Sequence, residues 1–238
     1  NGRNQKALEK FTDMSATMGW EYVLVDAGWQ NIEGGSLEEV IAYASSKGID
    51  VLIWYNSGGR RGRENSSQDL AIMEDPERRR AELKRISEMG VKGIKVDFFN
   101  SDKPHIMDQY RGILEDAADF QLHVNFHGCT LPRGWTRTYP HLLTMEAVKG
   151  GENYRYDERF TESAPWLHTI FFISRNTIGP MDYTPVIFSD SKNPHSTTFT
   201  HELATVVLFE SGITHFVDTP EAYLSKSDAV KTFLSNVP

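Results

Sequence analysis

Five short apolar runs in this 238-residue chain end in carboxylates, amides, a lysine or a histidine. Asp26 closes Tyr22-Val-Leu-Val-Asp26, and Asn56 follows Trp54 and Tyr55. Lys95 and Asp97 stand two apart in Gly93-Ile-Lys-Val-Asp97, Asn125 and His127 end a fourth run, and Glu146 ends a fifth. On an extended strand residues two apart share a face, so Lys95 and Asp97 point one way while Ile94, Val96 and Phe98 point the other. A buried carboxylate stays ionised only beside a cation or donors, and Lys95 is placed to supply that charge to Asp97. An ionised, oriented carboxylate suits a nucleophile at a sugar's anomeric carbon, and such chemistry needs a second carboxyl as acid, for which Glu146 and Glu152 are candidates. An ion pair that stitches neighbouring strands fits the same spacing, and both readings stand at this point.

Aromatic side chains cluster near the same ends: Trp29, Trp54, Tyr55, Phe98, Phe99 and Trp135. Taken singly each reads more simply as core. Together with Asp and Asn at strand ends they suggest a sugar subsite, where ring faces stack on aromatics and carboxylates take the hydroxyls.

The elements that must position these groups follow from periodicity. Leu8, Phe11, Met14 and Met18 fall at helical spacing and Gly19 follows, so the chain opens with a helix. Ser36 and Glu39 form a capping box ahead of a second helix, and Asp75-Pro76 opens a third that runs to Met89. A fourth helix spans 106–120, with further helical stretches at 159–177, 199–211 and 221–235. Strands are expected at 21–26, 51–55, 93–99, 122–126, 142–148, 182–188 and 214–217. Strands alternating with helices argue for a parallel sheet, and a (β/α)8 TIM barrel uses about 250 residues as one domain. The absence of a Gly-x-Gly-x-x-Gly turn after any strand disfavours the dinucleotide-binding alternative. Residues 1–238 therefore read as one α/β barrel that is one strand short, the first strand being expected upstream of Asn1 unless a strand lies in the irregular 150s or 180s.

Composition narrows the partners. Twenty-five Lys and Arg against 33 Asp and Glu give a formal charge of -8. The only basic run is Arg78 to Arg80, so nucleic-acid binding is disfavoured. No apolar run approaches the roughly 18 residues of a membrane-spanning helix. Cys129 is alone and makes no internal disulfide. The first available strand carries no His-x-His, which argues against a metal-dependent hydrolase of the amidohydrolase kind.

Four strings taken in order, Tyr22-Val-Leu-Val-Asp-Ala-Gly-Trp29, Gly93-Ile-Lys-Val-Asp-Phe-Phe-Asn-Ser-Asp-Lys103, Asn125-Phe-His-Gly-Cys-Thr-Leu-Pro-Arg-Gly-Trp135 and Met145-Glu-Ala-Val-Lys-Gly-Gly-Glu152, resemble the catalytic barrel of glycoside hydrolase family 97. The resemblance implies an exo-acting α-glycosidase with a calcium ion in its site and a small-molecule carbohydrate as substrate. The family's retaining branch, associated with α-galactosidase activity, carries an Asp in the Lys-Val-Asp-Phe-Phe segment; its inverting α-glucosidase branch lacks it and uses a Glu base elsewhere. Here Asp97 is present, and His127-Gly128 offers no Glu where that base would stand. Both features favour retention, which implies carboxyls about 5 to 5.5 Å apart.

By the same resemblance Asp97 is the nucleophile, Glu152 the general acid/base and a calcium ligand, and Glu146, six residues earlier, a second ligand. Asp26, Trp54, Lys95 and His127 match sugar-contacting positions, His127 most loosely, since a lone His more often serves as a structural donor. Calcium takes six to eight oxygens, more than this acidic loop alone supplies, and the resemblance implies that another ligand comes from an N-terminal β-sandwich domain upstream. A periplasmic or secreted bacterial enzyme is implied in the same way. The expectation is a retaining α-galactosidase, with an inverting α-glucosidase of the same family or a non-catalytic carbohydrate-binding barrel as alternatives.

Overall fold

The structure, a computed structural model, describes residues 3–58, 72–190 and 193–237. The chain divides into two compact units, Asn1–Thr130 with Thr136–Leu142, and Leu131–Trp135 with Leu143–Pro238.

The first unit alternates helix and strand: α1 (Gln5–Met18), β1 (Tyr22–Val25), α2 (Leu37–Ser46), β2 (Asp50–Asn56), α3 (Pro76–Glu88), β3 (Gly93–Asp97), α4 (Pro104–Asp119) and β4 (His123–Phe126). Helix starts follow their caps. Asn4 accepts from the Ala7 N–H, Ser36 and Glu39 close both bonds of the capping box, and Asp75 caps α3 with Pro76 in the first turn, where a missing N–H costs nothing. α1 ends at Gly19, whose φ of 72° is a left-handed conformation that suits glycine.

β1 to β4 pair in parallel and in chain order. All of β2 after Asp50 is buried, as expected of a strand covered on both faces. The register sets Trp54 beside Lys95, Lys95 beside Asn125, and Asn56 beside Asp97. Because side chains repeat every second residue, these form two successive polar rows on one face of the sheet. β3 needs Gly93 for close approach: a Cβ there would stand 2.8 Å from the His123 carbonyl oxygen. β3 stops at Asp97, short of the expected Phe99, because Phe98 and Asn100 take φ of 70° and 50°, which no strand continues through.

The arginine run is structural. Arg79, 4% exposed, sets its Nε 2.6 Å from Asp116 Oδ2 on α4 and donates to the Met73 carbonyl, while Arg80 bridges Asp116 and Asp119. These contacts tie α3 to α4.

β5 (Leu142–Met145) begins at the boundary between the units and ends before the expected Val148, Ala147 having a φ of 44°. The second unit carries α5 (Asn153–Tyr156), α6 (Glu158–Phe171), α7 (Phe199–Leu208), α8 (Pro220–Leu224) and α9 (Asp228–Leu234). Its core gathers Tyr154, Phe160, Ala164, Met181, Tyr183, Ile187 and Phe209. Pro165 sits inside α6 and cannot donate to Thr161; the Ser196 hydroxyl takes that carbonyl instead. The helix expected over 221–235 is two, because Ser227 caps a fresh start.

Two expected strands are not ladder-forming among the described residues. Over 182–188, Met181 makes a single bridge to Met145, and then Thr184 and Val186 adopt φ of 55° and 63°. The donors that a neighbouring strand would take are used by a side chain: Phe188 and Ser189 N–H both donate to Asp218 Oδ2, at 2.7 and 2.9 Å. The segment 214–217 is likewise joined through side chains, His215 Nδ1 lying 2.8 Å from Asp182 Oδ2.

Candidate active site

In the first unit the strand ends hold the polar groups in defined poses. Asp97 Oδ1 accepts from the Phe98 N–H at 2.7 Å, and its Oδ2 accepts from the Trp54 indole N–H at 3.3 Å. Trp54 is in turn braced by Trp29, whose indole donates to the Trp54 carbonyl at 2.7 Å. Two N–H donors, one on each oxygen, fix the plane of the carboxylate.

Gly128 lies against this group. A Cβ at this position would stand 2.8 Å from Asp97 Oδ1 and 2.7 Å from the Phe98 nitrogen, and its φ is 50°. The Asn100 N–H donates to the Gly128 carbonyl at 3.0 Å, joining the turns after β3 and β4. An oriented carboxylate at 97 and a side chain at 128 therefore exclude each other sterically.

The ammonium expected beside Asp97 makes its ion pair with Asp26. Lys95 Nζ stands 3.2 Å from Asp26 Oδ2, with the Lys95 side chain 8% exposed and that of Asp26 36%. The long lysine stem carries the charge from β3 to the end of β1. Asp26 Oδ1 also accepts from the Ala27 N–H at 2.6 Å. Burial pushes the Asp26 carboxyl up, but the Lys95 charge and these hydrogen bonds outweigh it and hold the carboxyl down at about 2.

His127 is 1% exposed, and its N–H donates to the Val96 carbonyl. Of the aromatics, Trp29, Trp54, Tyr55 and Phe99 are buried, and Phe99 stacks on Tyr110 with ring centroids 3.9 Å apart. For Phe99 the core reading holds. Phe98 and Trp135 are half-buried.

In the second unit Glu146 and Glu152, both half-buried, each bring a carboxylate oxygen within 4.8 Å of the other. Two such carboxylates repel unless a proton or cation lies between them. Oxygen donors of this kind suit a hard cation such as calcium, for which the pair could offer two of the six to eight ligands it takes. The side chain of Glu152 makes no capping bond to the short helix it precedes.

The loop before Glu152 lies against the segment after Met181. The Gly151 N–H donates to the Tyr183 carbonyl at 2.7 Å, and the Glu152 N–H donates to Thr184 Oγ1 at 3.0 Å. Cβ atoms at Gly150 and Gly151 would stand 2.5 and 2.4 Å from the Tyr183 and Thr184 carbonyl oxygens, so the glycine pair permits the approach. Sequence reasoning missed Tyr183, Thr184, Asp182 and His215. The signal for the first two was Gly150-Gly151, a place where another backbone comes close.

Parallel strands in chain order, joined by helices and bearing their polar groups at the C-terminal ends, define the (β/α)8-barrel class. The family model described as Glycoside hydrolase 97 matches residues 1–148. The chain belongs to glycoside hydrolase family 97. A curated relative, "Probable retaining alpha-galactosidase" of Streptomyces bingchenggensis (strain BCW-1), is 34% identical over 249 residues, covering 100% of this chain and 36% of the relative. A crystal structure of a beta-arabinopyranosidase superposes with a TM-score of 0.90 at 33% identity, over 99% of this chain and 38% of that one. A family 97 enzyme from Pseudoalteromonas sp. strain K8 in complex with acarbose shares the fold, with a TM-score of 0.81 at 21% identity over 98% of this chain and 39% of that one. The chain thus spans little more than a third of the length of each of these three relatives.

Proposed function

We propose that this chain carries the catalytic groups of a retaining α-galactosidase, with Asp97 as nucleophile and Glu152 as general acid/base. The observation that carries the reading is the setting of Asp97: a carboxylate oriented by two N–H donors, with Gly128 leaving no room for a base beside it. Asp97 attacks the anomeric carbon as the glycosidic C–O bond breaks, and Glu152 gives its proton to the departing oxygen. Water then opens the galactosyl ester on Asp97, its proton returns to Glu152, and the sugar leaves with its original configuration. Trp54 holds Asp97, while Asp26, Lys95 and His127 are assigned to the sugar's hydroxyls. Glu146 and Glu152 would hold calcium, and when bound the ion supplies positive charge that draws hydroxyl oxygens to it. Further calcium ligands are assigned to a β-sandwich domain outside this chain.

The test is Asp97→Ala in the full-length protein. Turnover of a nitrophenyl α-galactoside should be abolished, and azide should restore part of it with formation of the β-galactosyl azide. Strong activity in the unrescued variant would sink the assignment, as would β-galactose as the first product of the wild type by proton NMR. Sugar binding with wild type and variant equally inert would support a non-catalytic barrel, and a preference for the α-glucoside would support the glucosidase. A second reading, a β-L-arabinopyranosidase, is favoured by the likeness to that structure at a TM-score of 0.90. The two sugars share ring stereochemistry and differ by the C6 hydroxymethyl group, so kcat/KM on the paired nitrophenyl glycosides separates them. Calorimetric titration with calcium tests the ion, and Glu146→Gln should weaken its binding.

A further inference from the structure

We propose that Thr184 is a positioning residue for Glu152, an inference that rests on the reading of Glu152 as acid/base. Thr184 is 2% exposed, and its hydroxyl does two things at once. It accepts from the Glu152 N–H at 3.0 Å and donates to the Tyr183 carbonyl at 2.6 Å. The same carbonyl accepts from the Gly151 N–H at 2.7 Å. Three hydrogen bonds, two of them made by this hydroxyl, therefore hold residues 151 and 152 on 183 and 184.

The backbone supports a purpose for this contact. Thr184 is β-branched yet has a φ of 55°, a conformation such residues avoid, and it persists only where the surroundings over-determine it. Those surroundings are tied together by hydrogen bonds. The Tyr183 hydroxyl and His168 Nε2 are hydrogen-bonded, His168 Nδ1 lies 2.7 Å from His201 Nε2, and the Tyr223 hydroxyl donates to the Val186 carbonyl at 2.9 Å. Beyond them Asp218 holds the Phe188 and Ser189 amides. A segment clamped at Tyr183, Val186 and Phe188 gives Thr184 a fixed place from which to hold Glu152, whose own side chain is not used in capping. An acid catalyst displaced by a fraction of an ångström loses its alignment with the leaving oxygen, so a fixed backbone bears directly on proton transfer.

The test compares Thr184→Val with Glu152→Gln in the full-length protein, using α-galactosides whose leaving groups range from dinitrophenol to an unactivated alcohol. The ratio kcat/KM reports the step in which the leaving group departs. Proton donation matters most for the poor leaving group, so Thr184→Val should lose about 10- to 100-fold there and less than about threefold with dinitrophenol. Thr184→Ser, which keeps the hydroxyl, should restore the wild-type profile. If Thr184→Val folds poorly by circular dichroism, Thr184→Cys keeps the size while weakening the hydrogen bond and should show the same steepening. A uniform loss across leaving groups, beside a steep dependence in Glu152→Gln, would overturn the positioning role and leave Glu152 in place. No steepening in Glu152→Gln itself would overturn the acid/base reading, and this inference with it.

Discussion

Replacing Gly128 by alanine perturbs Asp97 sterically while leaving the carboxylate itself unsubstituted. The added Cβ would stand 2.7 Å from the Phe98 nitrogen, 2.8 Å from Asp97 Oδ1 and 2.9 Å from the Phe98 Cα. Two of the three are backbone atoms, which cannot swing aside like the end of a long side chain. Reaching ordinary contact at 3.4 Å requires a movement of ~0.7 Å in the turn that orients the carboxylate. A misplacement near 1 Å costs about 100-fold in rate, so kcat on a nitrophenyl α-galactoside should fall about 30- to 100-fold. The left-handed φ of 50° adds about 1–2 kcal/mol for any residue with a Cβ, which lowers Tm by about 2–8 °C for a chain of this size. Steady-state kinetics and calorimetry of the same preparation read both effects. A variant that keeps kcat within about threefold of wild type would refute the steric argument, because Asp97 would then tolerate the displacement.

Two further predictions concern the frame. Asp116→Asn should destabilise the protein by about 3–5 kcal/mol in urea unfolding, because it removes the countercharge of Arg79, whose side chain is 5% exposed. Arg79→Met combined with Asp116→Leu should recover most of the loss, and two independent, additive losses would count against a buried pair. His168, 1% exposed, is held neutral: burial, aided by His201 and His195, pushes its pKa from 6.5 down to about 3. The unfolded chain takes up that proton below pH 6.5 and the folded chain does not. This contribution is therefore full above 6.5 and falls by about 1.4 kcal/mol per pH unit as pH drops towards 3. His168→Gln should flatten unfolding free energy against pH over that window, and an unchanged slope would refute the assignment.

Much of the frame was legible because its causes are local. Asn4, Ser36 and Asp75 cap the helices that follow them, and the short apolar runs ending at Val25, Asn56 and Phe126 form buried parallel strands because β-branched and apolar residues suit a sheet covered on both faces. The ends of the polar runs were legible too, since period-two spacing places Lys95 and Asp97 on one face whatever surrounds them. Partners were not. Lys95 pairs with Asp26, 69 positions away, because a lysine stem reaches across strands and spacing along one strand cannot say which carboxylate it meets.

By itself the sequence determined the fold class, the family, and which carboxylates stand at strand ends, all properties of local pattern and order along the chain. Only the tertiary structure decided how each group is held. It placed the Trp54 indole and the Phe98 amide on Asp97, set Gly128 where no side chain fits, and turned two expected strands into clamps built from Thr184 and Asp218. The reason is physical: hydrogen bonds and steric exclusion act over a few ångströms between residues tens of positions apart, and only the folded chain brings those residues together.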